Sequence, residues 1–137
     1  MDIDFSNYDI LVVDDVNLNL IVVQKMLSKF KFRTRAAGNG ALAMQAIREQ
    51  RPDLVLLDLM MPVMDGFEVI SALRSDPVTA GIPVVVLSAL NSNEDIVRAY
   101  QLGANDFITK PVLMEKLINS VATQIQLLEV QKNNDQN

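Results

Sequence analysis

Residues 54–66 read Leu54-Val55-Leu56-Leu57-Asp58-Leu59-Met60-Met61-Pro62-Val63-Met64-Asp65-Gly66. The first four are aliphatic with no polar alternation, the pattern of a parallel strand covered on both faces. A carboxylate, Asp58, closes the run, and Asp65-Gly66 then opens a helix. Two more runs of the same character, 10–13 and 84–87, predict further central strands, and 32–36 and 107–109 complete a set of five.

Helical spacing fills the intervals between these runs. It is clearest at Leu20, Val23, Leu27 and Phe30, which recur at three and four residues and define one apolar stripe directed at a sheet. Asn39-Gly40 opens the second helix, while Pro52, Pro83 and Pro111 stand at element edges. The order is β-α repeated five times. Right-handed crossovers turn that order into a doubly wound α/β sheet with helices on both faces, and its ligand crevice lies beyond the carboxyl ends of the strands.

The chain has 137 residues, half of them hydrophobic, enough for one domain with one core. Its apolar runs stop well short of the ~20 residues of a spanning helix, and the N-terminus lacks a signal-peptide pattern, so a soluble, cytoplasmic protein with no membrane association is expected. There is no cysteine and no histidine. Disulfides, thiolate catalysis, imidazole bases and most zinc sites are thereby excluded. A net charge of −5 opposes direct nucleic-acid binding, and the basic residues Lys29, Lys31, Arg33 and Arg35 read as a solvated strand edge. The domain is expected over residues 1–128, its last helix extending to about 131. Residues 132–137, polar and without large apolar side chains, read as a disordered tail. Leu117, Val121, Ile125 and Leu128 keep helical spacing, so the last helix either packs its whole stripe on the core or projects as an amphipathic stalk.

With strands at these positions, Asp14 and Asp15 end the first and Asp58 the third, bringing three carboxylates to one rim. Such a cluster either raises a pKa or holds a hard cation, and a few carboxylates completed by water and substrate oxygens suit Mg²⁺. Ser88 ends the fourth strand with a small hydroxyl. Lys110 ends the fifth, before Pro111, where a cis peptide bond is expected. A carboxylate nucleophile, a divalent cation, an ammonium and a hydroxyl together meet the needs of phosphoryl transfer to aspartate. Without a histidine of its own, the chain takes its phosphoryl group from a partner protein or a small reactive phosphate.

The segments Val12-Val13-Asp14-Asp15, Leu56 through Gly66, Leu87-Ser88-Ala89 and Thr109-Lys110-Pro111 together resemble receiver domains of two-component response regulators, over roughly residues 8–128. The resemblance implies a flavodoxin-like sheet of strand order 2-1-3-4-5. It implies that Asp58 is phosphorylated, that Asp15 and Asp58 ligate Mg²⁺ directly with the Met60 backbone carbonyl, and that Asp14 acts through bound water. Ser88 and Lys110 would each contact a phosphoryl oxygen. Phe107 matches the family's switch aromatic as well as a core residue. Two departures stand out: Ser88 replaces the commoner threonine, and Phe107 lacks a phenol. A histidine kinase or histidine phosphotransfer protein would be the donor. A downstream protein, an output domain or a second copy in a homodimer would read the face of the fourth helix, fifth strand and fifth helix.

Two other classes share the topology. A haloacid-dehalogenase-like phosphatase also forms an aspartyl phosphate, but needs an acid two residues after the nucleophile, where this chain has Met60. A flavin carrier needs a phosphate-cradling loop after the first strand, where Asp14 and Asp15 would repel the phosphate.

Overall fold

The structure, a computed structural model, describes residues 3–135. Five strands, β1 (Asp9–Val13), β2 (Arg33–Ala37), β3 (Leu54–Leu57), β4 (Val84–Ser88) and β5 (Asp106–Thr109), alternate with α1 (Asn17–Ser28), α2 (Gly40–Glu49), α3 (Gly66–Ser75), α4 (Asn93–Leu102) and α5 (Met114–Asp135). All neighbouring strands pair in parallel, in the order β2-β1-β3-β4-β5. None of the described helices is long and apolar enough to cross a membrane.

The unbroken aliphatic runs are explained by two cores. Leu11 and Val13 of β1, Val55 and Leu57 of β3, and Val84 and Val86 of β4 pack under α2, α3 and α4. Their alternates Ile10, Val12, Leu54, Leu56, Val85 and Leu87 pack under α1 and α5. A strand covered on both faces has no position at which a polar side chain is inexpensive, so alternation vanishes. Strand β2 lies at the edge and is largely exposed or half-buried, which matches its basic composition. Arg35 is nonetheless consumed internally: its guanidinium pairs with Asp9 at 2.7 Å and donates to the Ala46 and Gln50 carbonyls. Arg33 donates to the carbonyls of Ser6 and Asn7.

Helix starts follow their caps. Asn39 Oδ1 accepts from the Leu42 amide, and Asp65 forms a capping box with Glu68. Three expectations change. Phe30 does not extend the α1 stripe, because the helix ends at Ser28 and Phe30 sits exposed in the following turn. Phe32 is buried just ahead of β2 rather than within it. Helix α5 runs past 131 to Asp135, so 132–135 is helical instead of a disordered tail; Gln136 and Asn137 lie outside the described residues. Leu117, Val121 and Ile125 are buried and Leu128 packs against them, while Lys132 lies 5.1 Å over the Tyr8 ring. These contacts keep the distal helix on the domain body. The Lys110-Pro111 bond is cis.

The β3–α3 loop carries one costly conformation. Val63 has φ 70° and the Met64 amide donates to the Pro62 carbonyl at 2.8 Å, the closure of a three-residue turn with positive φ at its centre. A β-branched residue pays about 1–2 kcal/mol there, and Val63, 94% exposed, recovers nothing by packing. Val63→Gly is therefore expected to stabilise the fold by up to about 1 kcal/mol, since glycine adopts positive φ without a Cβ penalty, which outweighs the chain entropy it adds to the unfolded state. Chemical denaturation would show a higher midpoint at unchanged slope.

Candidate functional site

The site is assembled where β1, β3, β4 and β5 end. Hydrogen bonding of the sheet continues one residue beyond the strands, as the Asp14 amide donates to the Ala37 carbonyl at 3.2 Å and the Asp58 amide to the Val13 carbonyl at 3.0 Å. Both carboxylates are thus fixed by backbone before any side-chain contact forms. Oxygens of Asp14, Asp15 and Asp58 lie within 4.8 Å of one another, Asp14 and Asp58 buried and Asp15 exposed.

Lys110 joins them from the end of β5. Its amide donates to the Ser88 carbonyl at 2.8 Å, which orients the residue toward the crevice. Its ammonium lies 2.8 Å from Asp14 Oδ2 and 3.6 Å from Asp58 Oδ2, so in this state it belongs mainly to Asp14. Asp58 Oδ1 accepts from the Met60 amide at 3.3 Å. Burial pushes the Asp58 carboxyl above the usual carboxylate range; Lys110 and the Met60 amide oppose the rise, and Asp14 and Asp15 reinforce it. One ammonium against three carboxylates leaves surplus negative charge. That surplus, on hard oxygen donors with Asp15 open to solvent, fits a hard divalent cation.

Ser88 is wholly buried, and its Oγ accepts from the Leu90 amide at 3.1 Å. Register places it one residue beyond the level of Asp58, since Leu57 lies opposite Val86. Phe107 stands opposite Val86 on β5, half-buried against the core beneath α2, α3 and α4, and its amide donates to Asp106. Met60 is 57% exposed and lines an open cleft of about 450 Å³ together with Leu90, Pro62 and Arg98. Two contributors were missed in reading the sequence: the Val16 amide, 2.9 Å from Asp14 Oδ1, and the Asn19 side-chain amide, 3.1 Å from Asp14 Oδ2. The five-residue spacing from Asp14 to Asn19, spanning the turn into α1, was the available signal.

A doubly wound α/β domain carrying a cluster of three carboxylates and a lysine at its strand ends is the class of protein that this fold and site define. The chain belongs to the response regulator receiver domain family, which it matches over residues 10–122. It is 41% identical over 103 residues to the response regulator PleD of Caulobacter vibrioides, covering 75% of this chain and 23% of that protein. With the DNA-binding response regulator MtrA of Mycobacterium tuberculosis it shares 40% identity over 117 residues, 85% of this chain and 50% of that one. Thus the chain spans half or less of the length of these relatives. Among solved structures, the receiver domain of a signal transduction histidine kinase from Syntrophus aciditrophicus superposes with a TM-score of 0.81 at 33% identity, covering 87% of this chain and 90% of that one. This chain is thus a receiver domain of the response regulators of two-component signalling.

Proposed function

We propose that Asp58 is the phosphoacceptor of this receiver and that Asp14, Asp15, Asp58 and the Met60 carbonyl hold Mg²⁺ beside it. The observation that carries the reading is the convergence of three carboxylates and Lys110 at one strand rim, with Asp58 placed by its own backbone hydrogen bond. A carboxylate oxygen of Asp58 forms a bond to phosphorus while the bond from phosphorus to the donor breaks, its electron pair leaving with the donor. Bound Mg²⁺ supplies positive charge that compensates the phosphoryl oxygens. Lys110 turns from Asp14 to one of those oxygens, and the Ser88 hydroxyl donates to another. The donor is a histidine kinase or a histidine phosphotransfer protein.

Phosphorylation replaces the Asp58 carboxylate with an acyl phosphate of charge about −2 at a buried rim. Movement of Ser88 toward it frees space for Phe107 to turn inward, and α4 and β5 adjust. The resulting change is read on the face of α4, β5 and α5, where Ile96, Tyr100, Phe107, Leu113 and Lys116 line a cleft of about 400 Å³ suited to a downstream protein or output domain. Intact mass with acetyl phosphate, and amide NMR with beryllofluoride, test this reading. A Mg²⁺-dependent adduct with shifts spreading from Ser88 to Phe107 is expected; no adduct and no shifts would overturn it.

Met60 and Leu90, two positions beyond Asp58 and Ser88, line one open cleft, and beside a phosphorylated Asp58 their apolar side chains would offer attacking water no polar anchor. Hydrolysis of the aspartyl phosphate is therefore expected to be slow, and Met60→Asn or Leu90→Glu to accelerate it. Phosphate release after removal of the donor measures the rate, and unchanged or slower release in both variants contradicts the argument.

A further inference from the structure

We infer that Asn19 is a positioning residue that holds Asp14 in place while Lys110 transfers from Asp14 to the phosphorylated Asp58. The inference rests on the reading of Asp58 as acceptor. It starts from the uneven way in which the two buried carboxylates share their donors. Asp14 Oδ2 accepts both the Lys110 ammonium, at 2.8 Å, and the Asn19 Nδ2 amide, at 3.1 Å, whereas Asp58 Oδ2 is 3.6 Å from the same ammonium.

When Lys110 moves to a phosphoryl oxygen, Asp14 Oδ2 loses its charged donor in a buried setting. Mg²⁺ held by the same carboxylates compensates the charge but not the direction of that hydrogen bond, and a buried carboxylate oxygen that loses a donor is less well satisfied. Asn19 is the side chain that remains on that oxygen, and the Val16 amide on Oδ1 keeps the other half of the carboxylate fixed. An amide suits this task because it donates without adding a positive charge beside the cation. A lysine or arginine at position 19 would supply a donor and also cancel part of the charge that makes the crevice cation-accepting. Asn19 is carried by the first turn of α1, and Leu20 and Val23 of that helix are anchored in the core under β1. Its amide therefore reaches Asp14 from a rigid element and does not depend on where Lys110 sits.

The role separates two measurements. With Lys110 still on Asp14, removing the Asn19 amide leaves Oδ2 with one donor; with Lys110 drawn to the acceptor, it leaves none from a side chain. Asn19→Leu and Asn19→Ala, two ways of deleting the amide, are compared with the unaltered protein for Mg²⁺ affinity alone and for beryllofluoride affinity at saturating Mg²⁺, both by amide NMR titration. Mg²⁺ affinity is expected to stay within about twofold, and the half-saturating beryllofluoride concentration to rise about tenfold, as loss of one charged hydrogen bond implies. A thermal midpoint recorded alongside reports general damage, which would weaken both affinities together. Equal weakening of the two affinities, or no weakening of either, overturns the role of Asn19 while leaving Asp58 as acceptor. Failure of the unaltered protein to bind beryllofluoride overturns both.

Discussion

Asp58→Asn is expected to reduce the acetyl-phosphate adduct to background and, in metal-free buffer at neutral pH, to raise the thermal midpoint of the protein. Both effects have one origin. The amide cannot attack phosphorus as a carboxylate does, so the adduct is lost whatever the state of Lys110. At the same time the substitution removes a charge that the folded state disfavours: burial and the neighbouring Asp14 raise the Asp58 pKa, and Lys110 at 3.6 Å compensates only in part. For a carboxyl group whose folded pKa lies above its unfolded value near 3.8, the folded state binds more protons in the window between the two. Stability therefore falls as pH rises from 3.8 through the folded pKa, and above that window the full penalty of the charge remains. The stabilising effect of asparagine should be largest at neutral pH and shrink as pH approaches 3.8, where Asp58 is increasingly protonated anyway. Saturating Mg²⁺ should narrow the difference by stabilising the unaltered protein more than the variant. Thermal unfolding followed by circular dichroism across pH, with and without Mg²⁺, would check both dependences. A variant less stable than the parent throughout would show that Asp58 is stabilised in the folded state, contrary to its surroundings.

Gly66→Ala is expected to destabilise the protein by about 3 kcal/mol, near the upper end for overpacking, and to impair the adduct as well. The position needs glycine because of space. A Cβ on Gly66 would clash with the Asp58 carbonyl oxygen and stand 2.7 Å from Leu59 Cα, both backbone atoms of the strand end that carries the proposed acceptor. Helix α3 begins directly against that segment, with the Gly66 amide donating to the Leu59 carbonyl at 3.0 Å. Alanine is the better helix former by up to ~1 kcal/mol, but this gain is smaller than the cost of displacing backbone. Relief requires either α3 or the Asp58-Leu59 segment to move, and the second alters the geometry of the proposed acceptor. Denaturant unfolding should show the lost stability, and the rate of acetyl-phosphate labelling under native conditions should fall. Unchanged stability would mean that the loop accommodates the methyl group by a shift that leaves α3 in place.

The most legible parts of this protein were those set by local pattern. The aliphatic runs of β1, β3 and β4 identified central parallel strands because burial on both faces forbids alternation. Their terminal carboxylates, with Lys110 and Ser88 at the ends of β5 and β4, marked one rim because parallel strands all end on the same side. The cap residues Asn39 and Asp65 were readable for the same reason, since each satisfies amides only a few residues away.

Contacts between segments far apart in sequence were decided by tertiary structure. The assignment of Lys110 to Asp14 in preference to Asp58, a matter of 2.8 against 3.6 Å, depends on how β5 is placed across the sheet from β1 and β3. Arg35 looked like surface charge until packing brought it to Asp9. Phe30 kept the helical period and yet left the stripe, because α1 ended at Ser28, two residues before it. The polar residues 132–135 lacked an apolar signal of their own, and α5 carries through them to Asp135 while Lys132 packs over Tyr8. Sequence pattern determined which residues share a face and an end of the sheet, because those follow from the period and direction of each element. The choice among neighbouring partners required the folded chain, because ångström differences between side chains arise only when separate elements are packed together.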